Sequence, residues 1–174
     1  MLGPGGFPPP DPRGYLDQGK RAMRMGDFRS FMALALAEAR AAGARGEVPV
    51  GAVIVSAAGE VVARAGNRTR ELCDPTAHAE MLAIREAAAK LDSERLIDCD
   101  LHVTLEPCAM CAGAISFARI RRLYFGASDE KMGAVEHGPR FFGHATCHHA
   151  PDVYSGLGEI RARELLKDFF KARR

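Results

Sequence analysis

The sequence predicts an α/β domain in which helices cover a β-sheet, and three observations carry that prediction. Segments with helical and strand periods alternate through the second half of the chain, the pattern of layered α/β architecture. The first strand candidate is a nearly unbroken apolar run, as expected of a strand buried on both faces. Finally, 174 residues with 47% apolar and 26% charged types are enough for one compact domain with a substantial core, and too few for two.

From Asp27, a candidate N-cap, Phe28, Phe31, Met32, Ala35 and Ala39 recur at helical spacing until Gly43 stops the pattern. Residues 48–55 form the apolar, β-branched strand, and Pro49 suggests that its start lies at an edge or bulge. A turn at 57–60 returns the chain into a second strand at 61–63, making a hairpin. After a loop at 67–75, Thr76 is placed to cap a helix running to about residue 91. Leu101, Val103 and Leu105 alternate with His102 and Thr104 in a strand that ends at Glu106. Pro107 suits the first turn of a third helix over 108–118. A strand at 123–125, a Gly-, Pro- and His-rich loop over 127–150, a short strand at 152–155 and an amphipathic helix over 159–174 complete the order.

Residues 1–26 read as a tail, rich in Gly and Pro and therefore flexible, then basic with Lys20, Arg21 and Arg24. The tail is either a solvated leader or a segment that brushes an acidic partner. The domain is expected at residues 27–174. No run of eighteen uncharged apolar residues exists, and the N-terminus lacks the basic and apolar stretches of a secretory signal, so a cytoplasmic protein with no membrane span is expected. Five cysteines, the closest pair separated by a two-residue gap, argue for reduced thiols in place of a disulfide framework. A net charge of +2 does not select a partner.

The chemistry concentrates at two helix starts. His78, Ala79 and Glu80 open the second helix; Pro107, Cys108 and Cys111 open the third. Cysteines three apart on a helix can meet one ion, and the positive helix end favours the thiolates a metal needs. His78, Cys108 and Cys111 make a ligand set suited to zinc. Three protein ligands leave one position for water, whose pKa zinc lowers to near ~7, and Glu80 is placed for general acid and base work beside it. The alternatives are a structural zinc completed by Cys73, Cys99, Cys147, His148 or His149, and a redox pair, which leaves His78 and Glu80 unexplained.

His-x-Glu followed by Pro-Cys-x-x-Cys is the signature of zinc nucleobase deaminases. Beyond it, residues 47–53, Asn67 with Arg68, residues 74–80, residues 104–108 and residues 125–127 closely resemble the bacterial tRNA-specific adenosine deaminases of the cytidine/deoxycytidylate deaminase superfamily. The resemblance covers about residues 28–174 and departs in the N-terminal tail and in 135–151. It implies a cytidine-deaminase-like three-layer α/β/α fold with a five-stranded mixed sheet and one zinc per subunit. It also implies a homodimer, and as substrate the wobble adenosine, position 34, of a tRNA anticodon stem-loop, converted to inosine. By position, His78, Cys108 and Cys111 bind zinc, Glu80 shuttles protons, Asn67 reads the base and Val50 lines the pocket beside it. A deaminase of free guanine, cytosine or a nucleoside shares this chemistry and is the alternative.

On the residues alone, Asn67 after Gly66 in a loop reads first as turn chemistry, with the purine-edge contact as the alternative. Among aromatics set in basic surroundings, Phe169 falls on the apolar stripe of the last helix, while Phe170 is the stacking candidate for an RNA base. Arg119, Arg121 and Arg122 form a second basic cluster, and His137, His144, His148 and His149 either touch phosphate or decorate a loop.

Overall fold

The computed structural model describes residues 30–173. The expected tail, with Asp27, Phe28 and Arg174, lies outside the described residues. Four helices and five strands follow in the order α1 (Met32–Ala44), β1 (Gly51–Val55), β2 (Val61–Gly66), α2 (Ala79–Leu91), β3 (Asp100–Leu105), α3 (Ala109–Phe117), β4 (Arg122–Ala127), a short 3-10 turn at Phe141–Gly143, β5 (Asp152–Tyr154) and α4 (Glu159–Lys171). The strands form one sheet in the order β2-β1-β3-β4-β5. β1 is antiparallel to both β2 and β3, whereas β3, β4 and β5 run parallel, so the sheet is mixed as expected.

Strand alternation sorts the core into two layers. Leu101 and Val103 of β3 face α2 and α3, joined by Ala83, Ala87, Ile115 and Phe125. Val53 and Val55 face α1 and α4, joined by Ala35, Leu36 and Ala162. β1 is buried along its whole length because it lies between two strands and under helices on both sides. Helix α1 sits so close to β1 that a Cβ on Gly51 would stand 2.1 Å from the Ala35 carbonyl oxygen. Only glycine permits that approach.

Several boundaries differ from the sequence expectation. The described part of α1 begins at Met32, not near Asp27; Ser30 and Phe31 precede it in non-helical backbone, and Met32 N donates to Ser30 Oγ. β1 begins at Gly51, so Pro49 precedes the strand, which is central and not at an edge. Thr76 does not cap α2. Asp74 Oδ1 accepts from both the backbone N and the hydroxyl of Thr76, which locks this residue into a turn, and the cap position falls to His78. Pro107 stands just before the third helix, whose N-cap is Cys108.

Candidate metal centre and active site

His78 and Cys108 occupy equivalent places, each an extended N-cap residue at the start of a helix on the same face of the sheet. An N-cap side chain leaves the helix at its positive end, where backbone N–H groups are unsatisfied. Cys111 projects from the first turn of α3 and is buried. His78 Nδ1 stands 3.8 Å from Cys108 Sγ and 3.6 Å from Cys111 Sγ, and all three ligand atoms lie within 4.8 Å of one another. Tetrahedral zinc bonds of about 2.3 Å to sulfur and about 2.0 Å to nitrogen set an N···S separation of roughly 3.5 Å, so the cluster fits one zinc ion.

Among the described residues this is the one cluster of its kind, and it contains three side chains. Cys73, Cys99, Cys147, His148 and His149 do not join it. Cys147 Sγ bonds the His149 carbonyl, and His149 Nε2 bonds the Ile120 carbonyl, so this part of the loop satisfies its own polar groups.

Glu80 lies in the first turn of α2 and is 3% exposed, with Oε2 lacking a hydrogen-bond partner among the described residues. Burial pushes its carboxyl above the usual carboxylate range. The Cys108 thiol is drawn down to about 4, first by its hydrogen bond with Cys111 and then by His78, while Cys111 is pushed up as the other partner in that bond. Two thiols, an imidazole and a buried, protonatable acid with an unpartnered oxygen therefore stand together at the starts of α2 and α3.

Asn67 ends β2's return to the site. It is buried, and its Oδ1 accepts from Ala79 N at 2.8 Å, capping α2 from twelve residues upstream. Its own N–H donates to the Val50 carbonyl, while the Val50 side chain is buried in the core layer beneath α2. Phe170 is half exposed on α4 and edge-to-face with Phe169, and the Arg173 guanidinium lies over the Phe169 ring at 3.6 Å. The end of α4 meets the α1–β1 connection, where Arg173 and Arg70 of the β2–α2 loop donate to the same Gly46 carbonyl. Arg121 pairs with Asp100 through two bonds, and Arg119 donates to the His148 carbonyl, so the second basic cluster is largely engaged in the fold. His137 bonds Glu106 and His144 bonds the Pro139 carbonyl.

Two buried carboxylates escaped the sequence reading except as parts of motifs. Glu47 accepts from Arg70 N, Glu71 N and the Thr69 hydroxyl, and so shapes the loop that carries Asn67. Glu106 does the same for the loop after β4. The available signal was position: each is a lone acid directly bounding an apolar strand.

Residues 25–127 match the cytidine and deoxycytidylate deaminase zinc-binding region. The chain is 63% identical over 150 residues to a tRNA-specific adenosine deaminase of Agrobacterium fabrum, covering 86% of this chain and 98% of that one. A solved structure from studies of A-to-I editing by tRNA:A34 deaminases at the wobble position superposes with a TM-score of 0.77 at 67% identity, covering 78% and 98% of the two chains. A guanine deaminase from Nitrosomonas europaea superposes with a TM-score of 0.70 at 27% identity, covering 79% and 81%. The chain therefore belongs to the zinc-dependent cytidine and deoxycytidylate deaminase family and, within it, resembles the tRNA-specific adenosine deaminases.

Proposed function

We propose that this chain hydrolytically deaminates the wobble adenosine at position 34 of a tRNA anticodon to inosine. In this reading it works in the cytoplasm as a homodimer, with residues 27–174 as the deaminase unit of each subunit. The observation that carries the reading is a three-ligand cluster beside a buried carboxylate with an unengaged oxygen, in a chain 63% identical to a tRNA-specific adenosine deaminase.

His78, Cys108 and Cys111 hold the ion. When bound, zinc supplies Lewis-acid chemistry that makes a water molecule acidic enough to react at neutral pH. Glu80 takes a proton from the attacking water and delivers it to N1 of adenine as the C6–O bond forms. It then takes the proton of the new C6 hydroxyl and hands it to the exocyclic amine, so that the C6–O bond becomes the carbonyl as the C6–N bond breaks and ammonia leaves, which balances water plus adenosine against inosine plus ammonia. Because Asn67 Oδ1 is engaged by Ala79, its side-chain NH2 is what it offers the purine edge. Val50 backs that wall of the pocket, and Phe170 gives an exposed ring for an anticodon base, near the loop that holds Asn67.

The direct test incubates the purified, zinc-loaded protein with an anticodon stem-loop bearing A34, and separately with guanine, cytosine and adenosine. Inosine from the stem-loop alone is the expected result. Turnover of free guanine or a free nucleoside without turnover of RNA replaces this reading with a metabolic deaminase. Sedimentation of the same sample tests the dimer.

A further inference from the structure

The loop between β4 and the 3-10 turn, residues 128–140, forms one wall beside Cys108 and is organised around a single side chain. Glu106 is fully buried, and its carboxylate accepts from five donors on this loop. Oε1 takes the backbone N–H groups of Val135, Glu136 and His137 at 3.1, 2.8 and 3.0 Å. Oε2 takes Asp129 N at 3.0 Å and His137 Nδ1 at 2.7 Å. Four converging backbone amides form the kind of nest that elsewhere binds a free anion.

That nest is fastened to the start of α3. Ala134 N donates to the Pro107 carbonyl, and Cys108 pairs with Gly133 in an isolated antiparallel bridge. The fit leaves no slack, since a Cβ on Gly133 would stand 2.5 Å from Glu106 Cδ and 2.4 Å from the Asp129 carbonyl oxygen. Cys108 itself is an extended N-cap residue whose side chain makes no capping bond, so its direction depends on how the backbone on either side is held. Glu106 N, bonded to the Ala127 carbonyl, fixes one side; the nested loop fixes the other.

We infer that Glu106, latched by His137, is a positioning residue for the metal cluster: it pins loop 129–137 onto the start of α3 and so sets where Cys108 Sγ stands relative to His78 and Cys111. This rests on reading His78, Cys108 and Cys111 as the zinc ligands. Residues that orient metal ligands from behind typically change metal affinity 10- to 100-fold when altered.

The test compares wild type with Glu106→Gln, His137→Phe and His137→Asn. Glutamine turns an NH2 group toward donors, phenylalanine removes the latch at a side chain about one-third exposed, and asparagine keeps an N–H near the place of Nδ1. Zinc stoichiometry, zinc release to a chelator and amide exchange over 129–137 are measured on each. The expected result is one zinc in wild type, release roughly 10- to 100-fold faster in Glu106→Gln and His137→Phe with faster exchange at 133–137, and recovery to within about twofold in His137→Asn. If Glu106→Gln does not fold, His137→Phe and its asparagine rescue decide the matter. Unchanged release from His137→Phe overturns the inference, as does a drop in global stability without faster release. A wild type that binds no zinc overturns the reading of the cluster itself and the inference with it.

Discussion

At the scale of single residues, the site divides labour among side chains that differ in what they have left to offer. Glu80 is buried and keeps one oxygen without a hydrogen-bond partner among the described residues, an arrangement with a desolvation cost unless a reactant arrives to use it. Glu80→Ala is therefore expected to retain zinc while inosine formation falls by about 10²- to 10⁴-fold, read from metal analysis alongside turnover. Asn67 caps α2 through Oδ1, and the base contact proposed for it would use the side-chain NH2, so substitutions separate the two. Asn67→Ala loses the acceptor for Ala79 N and costs about 1 kcal/mol of stability in urea unfolding. Asn67→Asp keeps that acceptor and the stability but loses the amide donor, so kcat/KM for the stem-loop is expected to fall with the unfolding midpoint unmoved. Equal kcat/KM for Asn67→Asp and wild type limits Asn67 to capping.

At the scale of elements, the helices that present His78 and Cys108 are held by buried acids acting on loops. The β2–α2 loop has little apolar substance of its own, and it is shaped by Glu47, whose carboxylate replaces water for two backbone amides and a hydroxyl. Glu47→Ala removes the shared acceptor of these part-buried donors, and the expected loss is about 1–3 kcal/mol, measured by urea unfolding. Glu47→Gln retains an acceptor for the amides and is expected to lose less than half as much. The failed cap at Thr76 has the same origin. Sequence reasoning treats Thr76 as a free acceptor, whereas Asp74 two residues earlier engages it first, and the cap for α2 comes from Asn67 across the chain.

At the scale of the whole molecule, a ring stack crosses the sheet on the α1 side. His102, Tyr124 and Tyr154 lie on adjacent strands in register, with ring centroids 4.5 and 4.9 Å apart. Burial lowers the pKa of His102 to about 4 from an ordinary 6.5, although Asp100 pulls the other way. The folded protein then binds fewer protons than the unfolded chain between these two values, so stability is full above pH 6.5 and declines as the pH falls toward 4. Between pH 7 and pH 5 this group alone is expected to remove about 2 kcal/mol of unfolding free energy. Because other groups titrate too, the check is a difference: His102→Leu is expected to show a pH 7 to 5 loss smaller than wild type by that amount. Identical slopes for the two proteins reject the assignment.

The α/β class, the element order and the His78, Cys108, Cys111 and Glu80 set were all legible from the amino-acid order, because they depend on local periodicity and on ligands carried at helix starts. The layer that each helix covers, the side-by-side placing of two N-caps thirty residues apart and the anchoring tasks of Glu47, Asn67 and Glu106 were decided only by the fold. Their partners lie twelve or more residues away, and a hydrogen bond between a carboxylate or amide and a distant backbone N–H leaves no period or spacing in the chain. What can be read locally is which groups are able to react; which groups hold them in place is set by contacts that exist only once the sheet has assembled.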